Sequence, residues 1–186
     1  GTRFKSLETP FMKLIAFAAS SSSKSINKIL ATYVAGLVDG AEVEILDLRD
    51  YELPLFSIDR EEELGQPVIA KKFLEKIASA DRLIISFAEH NGNYSAAYKN
   101  LFDWCTRIDA KVYQDKPTLL LATSPGGRGA ASVLGIAENA LPRFGCEIRA
   151  SLSVPSFNEN FDTDQMRISD PQIQIQLEAA VNLLVA

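Results

Sequence analysis

Residues 14–27, LIAFAASSSSKSIN, decide the fold, because they join an apolar run to a serine cluster and then to the start of a helical pattern. Residues 14–19 are apolar without interruption, which is typical of a strand buried on both faces of a parallel sheet. From Ile26 onward, apolar residues recur at helical spacing, at Ile29, Leu30, Tyr33, Val34 and Leu37. The stretch therefore predicts a strand, a polar loop and a helix.

The same unit recurs along the rest of the chain. Further strand patterns cover residues 41–48, 83–88, 118–123 and 146–150, and each is followed by a helical pattern. Five strands in strict alternation with five helices predict a three-layer α/β fold, in which helices cover both faces of a doubly wound parallel sheet. The strands at 41–48 and 146–150 alternate between apolar and polar residues, as edge strands do. Among doubly wound sheets, the strand order 2-1-3-4-5 places these two at the edges.

Composition excludes several classes of protein. The 186 residues are 47% hydrophobic and 23% charged, which lies outside the range of disordered chains. The formal net charge of −5 argues against a nucleic-acid partner, and no apolar run approaches the roughly 20 residues of a membrane span. Two cysteines and one histidine are too few for a disulfide framework or a transition-metal site. We therefore expect a cytoplasmic protein without a structural metal and without a membrane partner.

We expect one domain over residues 12–186, preceded by a leader or expression remnant at residues 1–11. The first eleven residues show no hydrophobic period and lack the apolar segment and cleavage site of a signal peptide. Met12 directly precedes the first strand pattern, so it is the expected natural start. No internal repeat or linker divides the rest of the chain.

Three polar loops follow strands near the point where the strand order reverses, which is where open α/β sheets bind ligands. The first, residues 20–27, brings serine hydroxyls to a helix N-terminus and so favours a phosphate monoester. The second, residues 88–94, contains Asn91-Gly92, a dipeptide that suits a simple turn as well as a ligand loop. The third, residues 123–130, has three glycines in four positions, so its backbone can approach a ligand closely. No Walker A loop, dinucleotide fingerprint or nucleophile elbow occurs.

At these loops the sequence resembles the NADPH-dependent FMN reductase family, a flavodoxin-like group that includes azobenzene, quinone and chromate reductases. The similarity covers the chain from Met12 onward. The family's first motif, Gly-Ser-x-Arg-x-x-Ser-x-Asn, aligns with residues 19–27. Its second, Pro-Glu-Tyr-Asn-Gly-Ser followed by Lys-Asn-x-x-Asp-Trp, aligns with residues 88–93 and 99–104, and its third, Ser-Pro-Gly-Gly-x-Gly-Gly or Ala, with residues 124–130. The departures from the motifs include four that bear on FMN binding, namely Ala19, Ser22, Ala88 and His90.

The resemblance implies which residues hold FMN. Those implied to hold the phosphate are Ser20, Ser22, Ser25 and Asn27. Those implied to line the isoalloxazine ring and ribityl chain are Glu89, His90, Asn91, Gly92 and Asn93. Those implied to contact the pyrimidine edge are Ser124, Pro125, Gly126, Gly127 and Gly129.

The resemblance further implies an FMN-dependent NAD(P)H oxidoreductase. A nicotinamide donates hydride to FMN, and electrons pass on to a quinone, azo compound, free flavin or metal oxyanion, so no side chain is required as an acid or base. Two alternatives stay open: a flavodoxin-like electron-transfer module, and a divergent non-catalytic FMN-binding module suggested by the four departures. Sequence alone does not choose between NADPH and NADH. It also does not identify the arginine that would clamp a 2′-phosphate, among Arg107, Arg128 and others.

The family also implies a homodimer or homotetramer. We expect Phe157 and Phe161, in the segment 154–162, to be exposed and to cover a partner subunit or the flavin. Cys105 is expected in the core and Cys146 at the start of an edge strand. Neither belongs to a Cys-x-x-Cys pair, so thiol redox chemistry is not expected.

Overall fold

The computed structural model describes residues 12–186, and the expectation for residues 1–11 lies outside this range. Five parallel strands form the sheet in the order β2-β1-β3-β4-β5, which confirms the predicted topology. The strands are β1 (Met12–Ala19), β2 (Ala41–Leu46), β3 (Arg82–Phe87), β4 (Lys116–Thr123) and β5 (Cys146–Val154). Ala19 pairs with Phe87 and Phe87 with Ala122, so the three central strands end at the same level. Their following loops therefore share one edge of the sheet.

Helices cover both faces of the sheet, as the predicted three layers require. They are α1 (Ile26–Ala35), α2 (Ile58–Leu64), α3 (Val68–Ser79), α4 (Ala96–Thr106), α5 (Ala131–Ala140), α6 (Phe157–Asn160) and α7 (Pro171–Val185). Residues of α1 and α7 pack with Leu14 and Ala16 on one face of β1, while residues of α3, α4 and α5 pack with Ile15 and Phe17 on the other. Successive side chains of a strand point to opposite faces, so the apolar run supplies both halves of the core.

The connection between β2 and β3 differs from the prediction, because it contains two helices instead of one. The short helix α2 buries none of its side chains, so it contributes no apolar period that a sequence pattern could detect. It is followed by α3, whose Phe73 and Ile77 carry the predicted pattern into the core. Between β2 and α2, Leu48–Tyr51 forms a 3-10 turn.

The expectation that Phe157 and Phe161 are exposed is wrong. Both rings are buried, and they stack on each other with centroids 4.9 Å apart. Tyr33 of α1 contacts Phe161 edge-on at 5.6 Å. The segment is folded onto the α1 side of the sheet by α6 and by a two-stranded hairpin, β6 (Phe161–Asp162) and β7 (Arg167–Ile168). These aromatic rings therefore stabilise the domain itself and offer nothing to a partner.

Among residues 12–186, no helix is both long and apolar enough to cross a membrane. Within the same range, no group of three or more histidine, cysteine, aspartate or glutamate side chains is placed to hold a metal ion.

Candidate functional site

The serine loop after β1 presents hydroxyl and N–H groups at the carboxyl edge of the sheet. Ser22 N donates to Ser20 Oγ at 3.2 Å, and Lys24 N donates to Ser22 Oγ at 3.3 Å, so the loop turns on its own side chains. Ser25 caps α1, because its Oγ accepts from Lys28 N at 3.1 Å. In both of the first two contacts the serine oxygen is the acceptor, which leaves each hydroxyl hydrogen available to an anion. The loop thus offers donors at the positive end of a ten-residue helix.

The side chain of Asn27, which the motif assigned to the phosphate, is engaged within the protein. The side chain is buried, and it contacts the ends of two strands that lie far away along the chain. Asn27 Oδ1 accepts from Thr123 N at 3.0 Å and from Ser86 Oγ at 2.8 Å, and Asn27 Nδ2 donates to Thr123 O at 3.2 Å. The side chain therefore ties the start of α1 to β3 and β4. The part of Asn27 that faces outward is its backbone N–H, which belongs to the first, unpaired turn of the helix.

A charged cluster lies beside the serine loop at the end of β2. Asp47 accepts from Lys28 Nζ at 2.7 Å and from Arg49 Nη2 at 2.7 Å. Hydrogen bonds from Arg49, together with the charge of Lys28, hold the pKa of Asp47 far below its usual range. Asp47 is therefore ionised, and both cations are partly neutralised. Lys24, in contrast, is exposed and takes part in none of the ion pairs formed within residues 12–186.

The loop after β3 is a tight two-residue turn. His90 N donates to Asn93 O at 2.9 Å and Asn93 N donates back to His90 O at 3.1 Å. Between them, Asn91 and Gly92 both have positive φ, 53° and 75°, as a type I′ turn requires. Asn-Gly is thus a turn signal here, and the turn follows the carboxyl end of β3. The side chains of residues 90–93 are exposed and face away from the core.

Glu89, which precedes this turn, is directed towards the third loop. Its Oε1 accepts from Val133 N, in the first turn of α5, at 2.8 Å. The residue before α5, Ala130, has left-handed geometry and makes no side-chain cap. Glu89 therefore supplies from another loop the acceptor that α5 lacks, and it fixes the second loop against the third.

The third loop has both an open part and a closed part. A Cβ atom on Gly127 would meet nothing within 4 Å, and one on Gly126 would meet only Ser124 Oγ at 4.0 Å. A Cβ on Gly129, with φ of 58°, would lie 2.9 Å from Pro155. Ser156 N donates to Gly126 O at 2.9 Å and Phe157 N to Ser124 O at 3.0 Å, which anchors the loop to the end of β5. Gly126 and Gly127 therefore expose their backbone above a fixed base, with the exposed Pro125 ahead of them.

The structure thus brings the predicted residues of all three loops to one edge and shows how they are held there. Sequence reasoning missed Ser95, whose Oγ caps α4 at Tyr98 N and donates to Ala19 O at 2.9 Å. Its position directly before α4 was the available signal. It also gave no role to Asn100 and Trp104 of the second motif. Asn100 contacts Leu53 O, Pro54 O and Phe56 N, and Trp104 Nε1 donates to Pro54 O at 2.8 Å.

The segment that Asn100 and Trp104 hold forms one wall of a cavity of about 540 Å³. Its other walls come from Ser21 of the serine loop and from the start of α4 at Ala96 and Ala97. Leucine side chains make much of the lining, and Arg49 and Glu52 bring opposite charges to it. The cavity is therefore continuous with the first loop and has the size of a small-molecule site.

A buried aromatic cluster supports the second loop from below. Tyr94 contacts Tyr98 with ring centroids 5.0 Å apart, and Tyr98 OH and Tyr113 OH are hydrogen-bonded to each other. The hydroxyl of Tyr94 is buried without a hydrogen-bond partner, and burial raises its pKa to about 12. Burial also raises the pKa of Cys105 to about 12 and that of Cys146 to about 11. These groups stay neutral at physiological pH and supply no acid, base or thiolate.

The chain is similar to a family of known reductases. The family model described as NADPH-dependent FMN reductase matches residues 12–158. The chain is 31% identical over 121 residues to an NAD(P)H-dependent FMN reductase of Pseudomonas aeruginosa, and 32% identical over 122 residues to a 2-hydroxy-1,4-benzoquinone reductase of a Burkholderia species. Each match spans 64% of this chain and 64% of the relative's own length.

A solved structure shows the same fold over nearly the whole chain. It is that of FerB, a flavoenzyme NAD(P)H:(acceptor) oxidoreductase from Paracoccus denitrificans, with a TM-score of 0.74 and 24% sequence identity. The superposition covers 94% of this chain and 95% of FerB.

Proposed function

Because the chain belongs to the NADPH-dependent FMN reductase family, we propose that it is an oxidoreductase that binds FMN and uses NADPH or NADH as the electron donor. The observation that carries the proposal is the joining of three open loops at one sheet edge. Asn27 links the first loop to the third at Thr123, and Glu89 links the second loop to the third at Val133. The site is therefore built before any ligand arrives, as tight binding of a rigid cofactor favours.

The residues present suit the two ends of FMN. At the phosphate end, Ser20, Ser22 and Ser25 present side chains around the free N–H groups of Ile26 and Asn27, and the helix dipole favours a dianion there. In place of the family's arginine, the exposed Lys24 supplies positive charge. The contribution of Asn27 comes from its backbone N–H, since its side chain holds β3 and β4.

At the ring end, the second and third loops suit a flat heterocycle. The exposed edge of residues 90–93 offers amide and imidazole groups, and Gly126 and Gly127 leave space for the pyrimidine edge to approach backbone N–H groups. Ser124 and Pro125 flank this open backbone, and Gly129 keeps it close to Pro155. When bound, FMN supplies the redox chemistry by taking hydride from a nicotinamide and passing electrons to an acceptor. The protein's own residues orient the ring, and none acts as a proton donor or base.

We propose a quinone as the acceptor, and the cavity of about 540 Å³ beside Ser21 as its entry to the site. Its leucine and alanine lining suits a planar, weakly polar ring, and Asn100 and Trp104 keep its wall in place. The benzoquinone reductase among the relatives supports this choice over an azo compound, free flavin or metal oxyanion. From the family we also expect a homodimer or homotetramer, which the mass in solution tests.

The test is a visible spectrum of the purified protein with added FMN, recorded before and after anaerobic addition of NADPH. We expect bound flavin that bleaches on addition of the nucleotide and recovers when a benzoquinone is added. Bound flavin that does not bleach with NADPH or NADH would instead indicate an electron-transfer module. A protein that retains no FMN would indicate that the departures from the family motifs have changed the ligand.

A further inference from the structure

The arginines considered from the sequence differ in how much of their charge is already paired with a carboxylate. Arg107 donates from Nε and Nη2 to the two carboxylate oxygens of Glu61, at 2.9 and 2.7 Å. Arg49 makes a similar contact with Asp47. A guanidinium held in this way by a carboxylate has little net charge to offer a further anion. Neither residue is therefore suited to bind a phosphate group of a diffusible substrate.

Arg128 is in a different state. Its side chain is exposed on the third loop, and its Nη2 donates to Ser132 Oγ, a neutral acceptor, at 2.9 Å. Among the ion pairs within residues 12–186, none includes Arg128. Since a guanidinium carries five N–H donors, the contact with Ser132 orients the group and leaves most of its donors free.

The backbone beneath Arg128 is rigid. Ser153 Oγ donates to Gly129 O at 2.7 Å, and Gly129 N donates to Gly126 O at 3.2 Å. In the other two loops, residues 20–27 and 88–94, the one carboxylate is that of Glu89, and its Oε1 already accepts from Val133 N. Arg128 thus carries a charge that no carboxylate compensates, on a backbone that hydrogen bonds hold in place. Both properties favour recognition of a phosphate group.

We propose that Arg128 binds the 2′-phosphate of NADPH and thereby makes the protein prefer NADPH to NADH. This inference rests on the proposed function, because it names the donor of the same reaction. The two nucleotides differ at this position by a phosphate against a hydroxyl group, so a single guanidinium can discriminate between them. Lys24, the other unpaired cation of these loops, lies in the serine loop, where the proposed function assigns its charge to the FMN phosphate.

Calorimetry on the purified, oxidised protein tests the proposal without turnover. The probes are adenosine 2′,5′-bisphosphate, which carries the distinguishing phosphate, and AMP, which does not. We expect the unmodified protein to bind the bisphosphate at least tenfold more tightly than AMP. Arg128→Gln should reduce this ratio to near one, and Arg128→Lys should restore part of it. The matched control is Arg143→Gln, an exposed arginine beyond the opposite end of α5, which should leave the ratio unchanged.

Steady-state kinetics provide the second measurement. We expect Arg128→Gln to raise the KM for NADPH at least tenfold, to leave the KM for NADH within twofold, and to leave FMN affinity unchanged. An equal effect on both nucleotides, or an unchanged bisphosphate ratio, would overturn the proposal. So would a shift of the flavin reduction potential in Arg128→Gln without loss of nucleotide discrimination, because the arginine would then act on the flavin. If bisphosphate binding needs Arg128 but NADPH does not bleach the flavin, the proposed function is wrong and the assignment of Arg128 as a phosphate-binding residue stands.

Discussion

Residues of the serine loop that belong to one motif have different roles, since some are exposed to a ligand and others hold the fold together. Ser22 is exposed, and its hydroxyl hydrogen is available to a ligand. Asn27 is buried, and both ends of its amide group are hydrogen-bonded to Ser86 and Thr123. A substitution at the first position therefore acts on binding, while one at the second acts on the fold.

We expect Ser22→Ala and Asn27→Ala to separate these effects. Ser22→Ala should weaken FMN binding roughly tenfold, the value of a hydrogen bond to a charged group, and should leave the free energy of unfolding within about 0.5 kcal/mol. Asn27→Ala should lower that free energy by about 2–4 kcal/mol, because it leaves buried groups of Ser86 and Thr123 without partners. Flavin fluorescence titration and urea unfolding measure the two quantities. Ser23→Ala, in the same exposed loop, and Asn182→Ala, on the exposed side of α7, are the matched controls.

At the scale of single residues, sequence could predict the loops but not the direction of each side chain. The motif alignment assigned Asn27 and Glu89 to FMN, but it did not show that the side chain of Asn27 bonds to β3 and β4 or that the side chain of Glu89 bonds to α5. Both partners lie far away along the chain, so no local pattern could reveal them. Asn91-Gly92 was easier to interpret, because its turn depends only on two adjacent φ angles.

Elements of the site are positioned by contacts between loops and helices, and α5 is an example. Its first turn has no cap from its own sequence, and Glu89 caps it from the second loop. The carboxylate also interacts favourably with the positive end of the helix.

Removing the Glu89 side chain should loosen α5 and the third loop together. We expect Glu89→Ala to lower the free energy of unfolding by about 1 kcal/mol, the usual cost of losing a helix cap, and to weaken FMN binding as well. Glu89→Gln keeps an acceptor for Val133 N and should be closer to the unmodified protein. Urea unfolding and flavin titration check both variants. Glu138→Gln, on the exposed part of the same helix, is the control, and an Ala variant as stable as this control would contradict the capping role.

The helix α4 holds the cavity wall through the second half of the family motif. Asn100→Ala should release residues 53–56, because three hydrogen bonds to their backbone are lost. We expect a loss of about 2 kcal/mol in the free energy of unfolding. Trp104 packs edge-on against Phe56 at 5.1 Å, and its fluorescence should shift to longer wavelength as the wall opens to water. The emission spectrum in the native state measures this directly.

Lys99→Ala is the matched control for Asn100→Ala, since Lys99 belongs to the same motif but only forms an exposed pair with Asp103. Such pairs contribute about 0.5 kcal/mol or less. If the two variants gave the same emission spectrum and stability, Asn100 would have no part in holding the wall.

For the whole molecule, sequence predicted the sheet and its order because burial leaves a direct signal. The continuous apolar runs marked the strands covered on both faces, and the alternating runs marked the edges β2 and β5. The elements that it missed are those without such a signal. Helix α2 buries no side chain, and Phe157 and Phe161 are covered by α1 through contacts that a linear pattern does not contain.

The half of the core that packs against α3, α4 and α5 also determines how the molecule responds to alkaline pH, because it contains the buried thiols and phenols. Burial raises the pKa of Cys105 to about 12 and that of Cys146 to about 11, and it raises those of Tyr98 and Tyr113 well above the usual value. In the unfolded chain these thiols ionise near pH 8.5 and the phenols near pH 10. Above about pH 8.5 the unfolded state therefore binds fewer protons than the native state, and stability falls as pH rises.

We expect the free energy of unfolding to be unaffected by these groups at neutral pH and to fall by about 2 kcal/mol per thiol at pH 10. Urea unfolding between pH 7 and pH 10 measures the slope. Cys146→Ala should make the slope shallower by about one proton, because one of the two ionising thiols is gone. In the native protein at pH 8, both thiols should react with a disulfide reagent only at the rate of unfolding. A fast reaction of either thiol, or a slope that Cys146→Ala leaves unchanged, would show that the core does not hold these groups in their neutral form.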